Sequence, residues 1–465
     1  MSTQILNSAV SAFTGFINRE FKNDITGFDK NSIFVFIHRI TAPQVKLHKL
    51  VADHERILHF SEPSEDYSFT AVDSLKVINE QGDGRIEAAG KKIKSLREKI
   101  ITNNPDMLDN IPLFTGAVKF MSDKSNQIWK DFGDCYWFIP ENIIFRKSDE
   151  FYFIHNFILN NQNGVEKNIE LFQIKFGKIL FNSAEECSKG VKLKHISGNS
   201  LKDRKKWLRN IERALQMIES GNLQKVVLSR KIEVVFDKEP DPDWLLGELK
   251  KKYPDCIHFY YHSGKSSFLG ATPETLMKIK NGELTLDVLA GSASVQLKTA
   301  DTELKSEKNI TEHKYVTAHI RETLNEFTTD LQVSGIQTRQ LPNILHLYSR
   351  VSAKLLPGIN IFSVLKELFP TPAVAGYPKQ QALQLIKKIE DGERGLYSGF
   401  IGWLNHNQEG HFIVTIRSGL LQENKMQLYA GAGIVHQSVP EEEFLETEMK
   451  LESLLSVLNN ENKNK

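Results

Sequence analysis

The chain has 465 residues, a formal net charge of +1, 40% apolar and 25% charged residues. Such a length can bury a large core, and a near-zero charge points away from nucleic acid or an anionic membrane surface as partner. Cys135, Cys187 and Cys256 are too scattered for a disulfide framework or a zinc centre, the N-terminus lacks a signal-peptide pattern, and no apolar run reaches the about 18 residues of a membrane span. A cytoplasmic protein is expected.

In chain order, the first thirty residues are weakly patterned. Residues 31–40 and 67–72 read as strands, rich in β-branched and aromatic side chains, and 85–102 as a charged helix. Segments 113–120, 135–139, 142–146 and 151–155 read as short antiparallel strands, and the polar stretch 160–200 as a loose connection. The pattern then sharpens. Trp207, Leu208, Ile211, Leu215 and Ile218 recur at helical spacing, with Gly221 as a C-terminal cap. Strands follow at 224–236, 255–261 and 267–270, and a hairpin at 275–289 turns on Asn281-Gly282. Helices are expected at 302–327 and 379–390, and strands at 398–404, 412–417 and 427–435. Single helices between runs of antiparallel hairpins argue for an α+β fold rather than a doubly wound parallel sheet.

The densest chemistry lies near the C-terminus. The last strand is expected to stop at a tight turn, Gly431-Ala432-Gly433, whose small residues let backbone N–H groups approach an anion. Ser438 and Glu441 have capping-box spacing, and Pro440 suits a first helical turn. On the helix that follows, Glu446 and Lys450 share one face, as a surface ion pair or as part of a site.

Other candidates are read one by one. Lys225 opens a mostly apolar strand; it is either an edge lysine reaching water or a desolvated base. Glu274 follows a strand end in Gly270-Ala-Thr-Pro-Glu274, either as a turn acid or as a proton donor. Glu312 continues the buried stripe of Val316, Ile320, Leu324 and Phe327, and an acid there wants a cation; two glutamates from two helices, Glu312 and Glu446, would suit magnesium. Arg417, placed on a strand, wants a carboxylate partner from the protein or a substrate. His346 reads equally as a core histidine. The near-matches to a phosphate loop at 262–266 and to a dinucleotide fingerprint at 431–433 fail at Phe259 and His436, where glycine is required.

Taken together, Lys225-Val-Val-Leu-Ser-Arg230, Gly270-Ala-Thr-Pro-Glu274, Leu289-Ala-Gly-Ser292, Ser306-Glu-Lys-Asn-Ile-Thr-Glu-His313, Pro370-Thr-Pro-Ala-Val-Ala-Gly376, Thr415-Ile-Arg417, Tyr429-Ala-Gly-Ala-Gly-Ile-Val435 and Glu446-Thr-Glu-Met-Lys450 stand in the order seen in chorismate-utilising enzymes, the family of anthranilate synthase component I. The resemblance implies orthogonally packed antiparallel sheets flanked by helices, with the active site in a central cleft. It also implies a variable N-terminal part (1–195) and a catalytic part (200–457), expected to form one composite domain.

By the same resemblance, Lys225 is the base that activates water and Glu274 the acid. Glu312 and Glu446 hold Mg2+. Ser292, His346, Ala373, Arg417, Gly431, Ala432, Gly433 and Lys450 bind chorismate, with Arg417 at the enolpyruvyl carboxylate. Lysine at 225 separates water-activating members from aminating ones, so no glutaminase partner is expected. Ala290 stands where some aminating members carry a nucleophilic lysine. Ala373 resembles isochorismate synthases, whereas salicylate synthases tend to have a hydroxyl residue there. The implied activity is isochorismate synthase, feeding menaquinone or siderophore synthesis; a salicylate synthase or a silent chorismate binder are the alternatives. The chain departs from the family pattern at Ser292–Val295, Asn309 and Tyr377.

Overall fold

The computed structural model describes residues 2–21, 32–43, 45–122, 127–159, 164–181, 190–295 and 299–458. Its framework is a continuous network of largely antiparallel strands with helices packed against it. One ladder runs from Lys225–Phe236 through Lys425–Ile434, Ser418–Gln422, Ser266–Thr272 and Ile257–Ser263 to Arg56–Glu62 and Tyr67–Glu80. The long strand Cys135–Lys147 then passes the pairing to Phe114–Val118, Phe400–Leu404, Gly410–Val414, Thr275–Lys280, Glu283–Ser294 and Ile344–Leu355.

Among the described residues, strands that lie before residue 190 therefore pair directly with strands that lie after residue 200 at two places. Arg56–Glu62 lies beside Ile257–Ser263, and Phe114–Val118 beside Phe400–Leu404. One large core, with Trp137, Phe138, Phe259, Phe400 and Phe412 fully buried, draws on both parts of the sequence. A second, phenylalanine-rich core under the N-terminal helix packs Phe13 against Phe36, Phe157 and Phe172.

Local chemistry explains most elements. The hairpin at Asn281-Gly282 forms as its sequence demands, with both residues at positive φ (53° and 74°) and Lys280 opposite Glu283. The helix Leu201–Glu219 starts at a reciprocal capping box, Ser200 with Asp203, and Gly221 (φ 76°) follows its C-cap, Ser220.

Several expectations need correction. The region at 302–327 is two helices, Ala300–Leu304 and Glu307–Leu324, because Ser306 turns out to cap the second by accepting the Asn309 N–H at 3.3 Å. Gly431-Ala432-Gly433 is not a turn: the strand Lys425–Ile434 runs through it, with Gly431 opposite Ser229 and Gly433 opposite Val227. Arg417 is not in a strand but in the connection after Gly410–Val414, at φ +52°. Ser438 does not cap the last helix, Pro440–Leu458; its Oγ accepts the Val435 N–H at 3.0 Å. Weak patterning hid the helices Ser2–Phe21 and Val165–Leu180, and residues 135–147 form one strand rather than two.

Gly376 is the tightest point near the later site. It has φ +144°, pairs with Val226, and a Cβ there would overlap the Lys225 carbonyl oxygen. Gly376→Ala is expected to cost about 3 kcal/mol from overpacking and backbone strain, read as a lowered urea midpoint with an unchanged slope.

Candidate active site

The site is built on the seam between two adjacent strands. Lys225 opens the Lys225–Phe236 strand and is fully buried; Gly431 and Gly433 lie across from it on Lys425–Ile434. Above these strands two helices lend carboxylates: Glu312 from Glu307–Leu324 and Glu446 from Pro440–Leu458. They border a cavity lined by Glu274, Ser292, Glu312, His346, Ala373, Arg417, Gly431, Gly433, Glu446 and Lys450, among others.

Ten of the twelve residues singled out from the sequence thus share one chamber. Of the other two, Lys225 reaches it through Glu312, with Nζ 3.0 Å from Oε1. Ala432 does not line the chamber: strand alternation turns its side chain into the main core, between the two glycines that face the cavity.

Opposite charges balance inside this enclosure. Lys450 Nζ donates to Glu446 Oε1 at 2.6 Å and to the Gly431 carbonyl at 2.9 Å, while Lys308 stands 3.8 Å from Glu446 and 2.5 Å from Glu443. Burial pushes the Glu446 carboxyl up, but Lys450 and Lys308 outweigh it and hold its pKa down to about 2. Lys225 Nζ is fully enclosed and has no hydrogen-bond partner among the described residues, since its approach to Glu312 lies off hydrogen-bond geometry.

Glu274 behaves in the opposite way. It follows the Ser266–Thr272 strand, and the loop is fixed through the Thr272 hydroxyl, which accepts the Glu274 N–H at 3.2 Å, and by Val414 N–H donating to the Glu274 carbonyl at 3.1 Å. Burial, reinforced by the charge of Asp287, pushes its carboxyl up from the usual 4.5 to about 8 against the pull of Lys225, Lys450 and Arg339. At neutral pH it is therefore an acid with a proton to give.

At the far end Arg417 donates to His346 Nε2 at 3.0 Å and to Ser453 Oγ at 2.6 Å. It has no carboxylate partner among the described residues. Burial, then the nearby Arg417 and Lys450, keep His346 well below its usual pKa and hence neutral. Because Nε2 accepts from Arg417, Nδ1 carries the proton and faces Ser292 Oγ at 3.1 Å, leaving the serine O–H free to donate into the cavity.

The departures fall at the margins. Asn309 is buried and its amide donates to the Glu303 carbonyl at 2.9 Å and the Ser292 carbonyl at 3.4 Å, tying the strand end to the helix junction. Tyr377 stacks on Tyr315 with centroids 6.0 Å apart. Ser292–Val295 is described, whereas 296–298 lies outside the described residues.

Sequence reasoning missed Tyr397 and Tyr429, which stack at 5.1 Å in the cavity wall, and Lys308 and Glu443 behind Glu446. Lys308 had a signal, its place within Ser306–His313. The tyrosines had none, since strand tyrosines are ordinary core residues.

Glu312 and Glu446 line one pocket and offer hard oxygen donors of the kind a divalent cation takes, and the space for the Glu312 carboxylate depends on a missing methyl group. A Cβ at Gly433 would overlap Glu312 Oε1. A different donor group, His48, Asp241 and Asp243, is committed to structure: Asp243 accepts the Leu47 and His48 N–H groups and Asp241 caps the helix Pro242–Lys252. A second pocket between Leu201–Glu219 and the 390–394 loop shares Tyr429 with the first; within it Lys206 pairs with Asp391 and Arg394 with Glu390.

Fold and site together define an α+β protein with one pocket in which acids, lysines and an arginine converge. The chain belongs to the chorismate binding enzyme family, which it matches over residues 26–459. It is 33% identical over 270 residues to the isochorismate synthase MenF of Bacillus subtilis, a match covering 56% of each chain. It is 34% identical over 284 residues to the isochorismate synthase EntC of Escherichia coli, covering 59% of this chain and 72% of that one. Among solved structures it superposes on the menaquinone-specific isochorismate synthase MenF of Escherichia coli with a TM-score of 0.77 at 22% identity, covering 97% of this chain and 100% of that one. Among the described residues, no helix is long and apolar enough to cross a membrane.

Two outcomes follow from the geometry. Gly433→Ala should displace the movable end of Glu312 and weaken divalent-cation binding by tenfold or more in calorimetry, with stability changed by about 1 kcal/mol or less. Glu274 binds a proton in the folded state between about 4.5 and about 8 where the unfolded chain does not. Its contribution is therefore fully present below about pH 4.5 and lost as pH rises through about 8, at about 1.4 kcal/mol per pH unit. Unfolding free energies measured across that interval should show this slope, and Glu274→Gln should lack it.

Proposed function

We propose that this protein is an isochorismate synthase, a cytoplasmic enzyme that adds water at C2 of chorismate with loss of the C4 hydroxyl. The observation that carries the reading is a buried lysine beside a buried acid: Lys225, joined to the chamber through Glu312 and without a hydrogen-bond partner among the described residues, and Glu274, which lines the chamber with its pKa pushed up to about 8. Lys225 takes a proton from the attacking water. Glu274 gives its proton to the departing hydroxyl, so no redox partner is needed and the product is an isomer.

Glu312 and Glu446 would hold Mg2+, which when bound supplies positive charge for the ring carboxylate. The Gly431–Gly433 backbone and Lys450 assist there; Ala432 contributes only its main chain. Arg417, lacking a protein carboxylate, takes the enolpyruvyl carboxylate, and His346 and Ser292 orient that end of the pocket. Ala373 presents a methyl rather than a hydroxyl to the chamber, which favours release of isochorismate over onward elimination of pyruvate. The product would serve menaquinone or siderophore synthesis, no glutaminase subunit is required, and residues 1–195 and 200–457 act as one composite domain.

Incubation with chorismate and Mg2+, without ammonia, should yield isochorismate in equilibrium with chorismate. Lys225→Ala and Glu274→Gln should each lower kcat by about a hundredfold or more, and wild-type activity should fall as pH rises past about 8, where Glu274 loses its proton. Salicylate with equimolar pyruvate would assign the protein to the salicylate synthases instead. Chorismate bound without turnover would overturn the enzymatic reading.

A further inference from the structure

We infer that Ser453 is a positioning residue for substrate binding: its hydroxyl, presented by the last helix, holds the Arg417 guanidinium in place before the substrate's carboxylate arrives. The inference rests on Arg417 as the group that takes the enolpyruvyl carboxylate. Ser453 lies on Pro440–Leu458, the helix that also carries Glu446 and Lys450. The three stand four and three residues apart, so one face of the helix carries them all. Around Ser453 the helix is apolar: Leu451, Leu454, Val457 and Leu458 are buried in the second core. Ser453 itself is 2% exposed, and a hydroxyl buried in such a seam needs partners.

Its partners are in place. Arg417 Nη1 donates to Ser453 Oγ at 2.6 Å, well inside the 3.4 Å to the Met449 carbonyl, the i−4 group that a mid-helix serine otherwise uses. Asn343 donates its amide to the same Oγ at 3.1 Å and to the Met449 carbonyl at 2.7 Å, and its Oδ1, 3.3 Å from Oγ, accepts the serine hydrogen. Asn343 directly precedes Ile344–Leu355, the strand that brings His346, the other acceptor of Arg417, to 3.0 Å. Helix and strand are thus tied to each other, and each aims an acceptor at one guanidinium. Arg417 stands at φ +52°, a costly backbone for a residue with a side chain, which persists only where the surroundings fix it. Its carbonyl accepts the Ala271 N–H at 3.2 Å. A guanidinium held in this way has a set direction, so its ordering precedes binding instead of weakening it. The same helix links the Glu446 end of the pocket to the Arg417 end.

The test compares chorismate affinity, measured by calorimetry with Mg2+ present, with kcat and KM. Ser453→Ala should weaken binding and raise KM by about tenfold or more, the worth of a hydrogen bond to a charged group. Its kcat should change by about twofold or less, since the enolpyruvyl carboxylate is not among the reacting atoms. Ser453→Thr, which keeps the hydroxyl, should stay within about threefold of the wild type. In an Arg417→Ala background, Ser453→Ala should cost no further affinity. Unchanged affinity in folded Ser453→Ala, a loss confined to kcat, an equal loss in folded Ser453→Thr, or the same further loss without Arg417 overturns the inference. Should Ser453→Ala not fold, Ser453→Cys, whose thiol is a weak acceptor, decides alone: its affinity should fall, and wild-type affinity overturns the inference. Weakened binding in Ser453→Ala of a protein that leaves chorismate unchanged would uphold the role of Ser453 and reject the assigned reaction. Isochorismate formed by Ser453→Ala at the wild-type KM would do the reverse.

Discussion

Everything in this structure is arranged around opposite charges held out of water. Lys225, Lys308 and Lys450 face Glu312, Glu443 and Glu446 with side chains that are buried or nearly so. In a low-dielectric interior each would be costly alone, and removing one partner of such a pair is far more damaging than the pair is stabilising. The sheet and the two helices are what bring the partners to bonding distance. Arg417 is the exception: among the described residues its guanidinium donates to neutral groups, His346 and Ser453. A pocket whose own charges cancel, save one arginine, is prepared for an anion that the protein does not itself supply.

The same enclosure gives two glutamates opposite characters. Glu446 is held ionised by Lys450 and Lys308 beside it; Glu274 stays protonated because burial outweighs the pull of Lys225, Lys450 and Arg339. Residue type does not decide which carboxyl binds a cation and which donates a proton. Neighbours do, and the neighbours are set by strand register. A slip of one residue along Lys425–Ile434 would exchange Gly433 for Ala432 beneath Glu312 and close the space its carboxylate occupies.

How much of this was legible beforehand depended on how local the signal was. The Asn281-Gly282 hairpin, the Leu201–Glu219 helix and the strand from Lys225 are written in turn chemistry and periodicity, and they formed as read. The chamber residues were readable because they recur as ordered motifs, and ten of them line one cavity. The failures have physical causes. The glycines 431 and 433 look like a turn because glycine permits one, whereas here their use is close approach to Glu312 and Tyr397 within a strand. Ser306 broke an otherwise continuous helix through a single cap. Tyr397 and Tyr429 carry no local mark at all, because their place in the cavity wall arises only when strands far apart in sequence lie side by side.

The two points where early strands pair with late ones also set the order in which the molecule can be assembled. Arg56–Glu62 has its partner Ile257–Ser263 about two hundred positions downstream, and Phe114–Val118 waits for Phe400–Leu404 still further on. During synthesis the first part emerges with open hydrogen-bonding edges long before those edges can be filled. Such distant pairings make folding slow, since the loop-closing entropy must be met before the contacts reward it. The chamber, which draws on residues from 225 to 450, closes only when almost the whole polypeptide is in place. The pocket is thus assembled from parts of the chain that must first be brought together across long sequence distances.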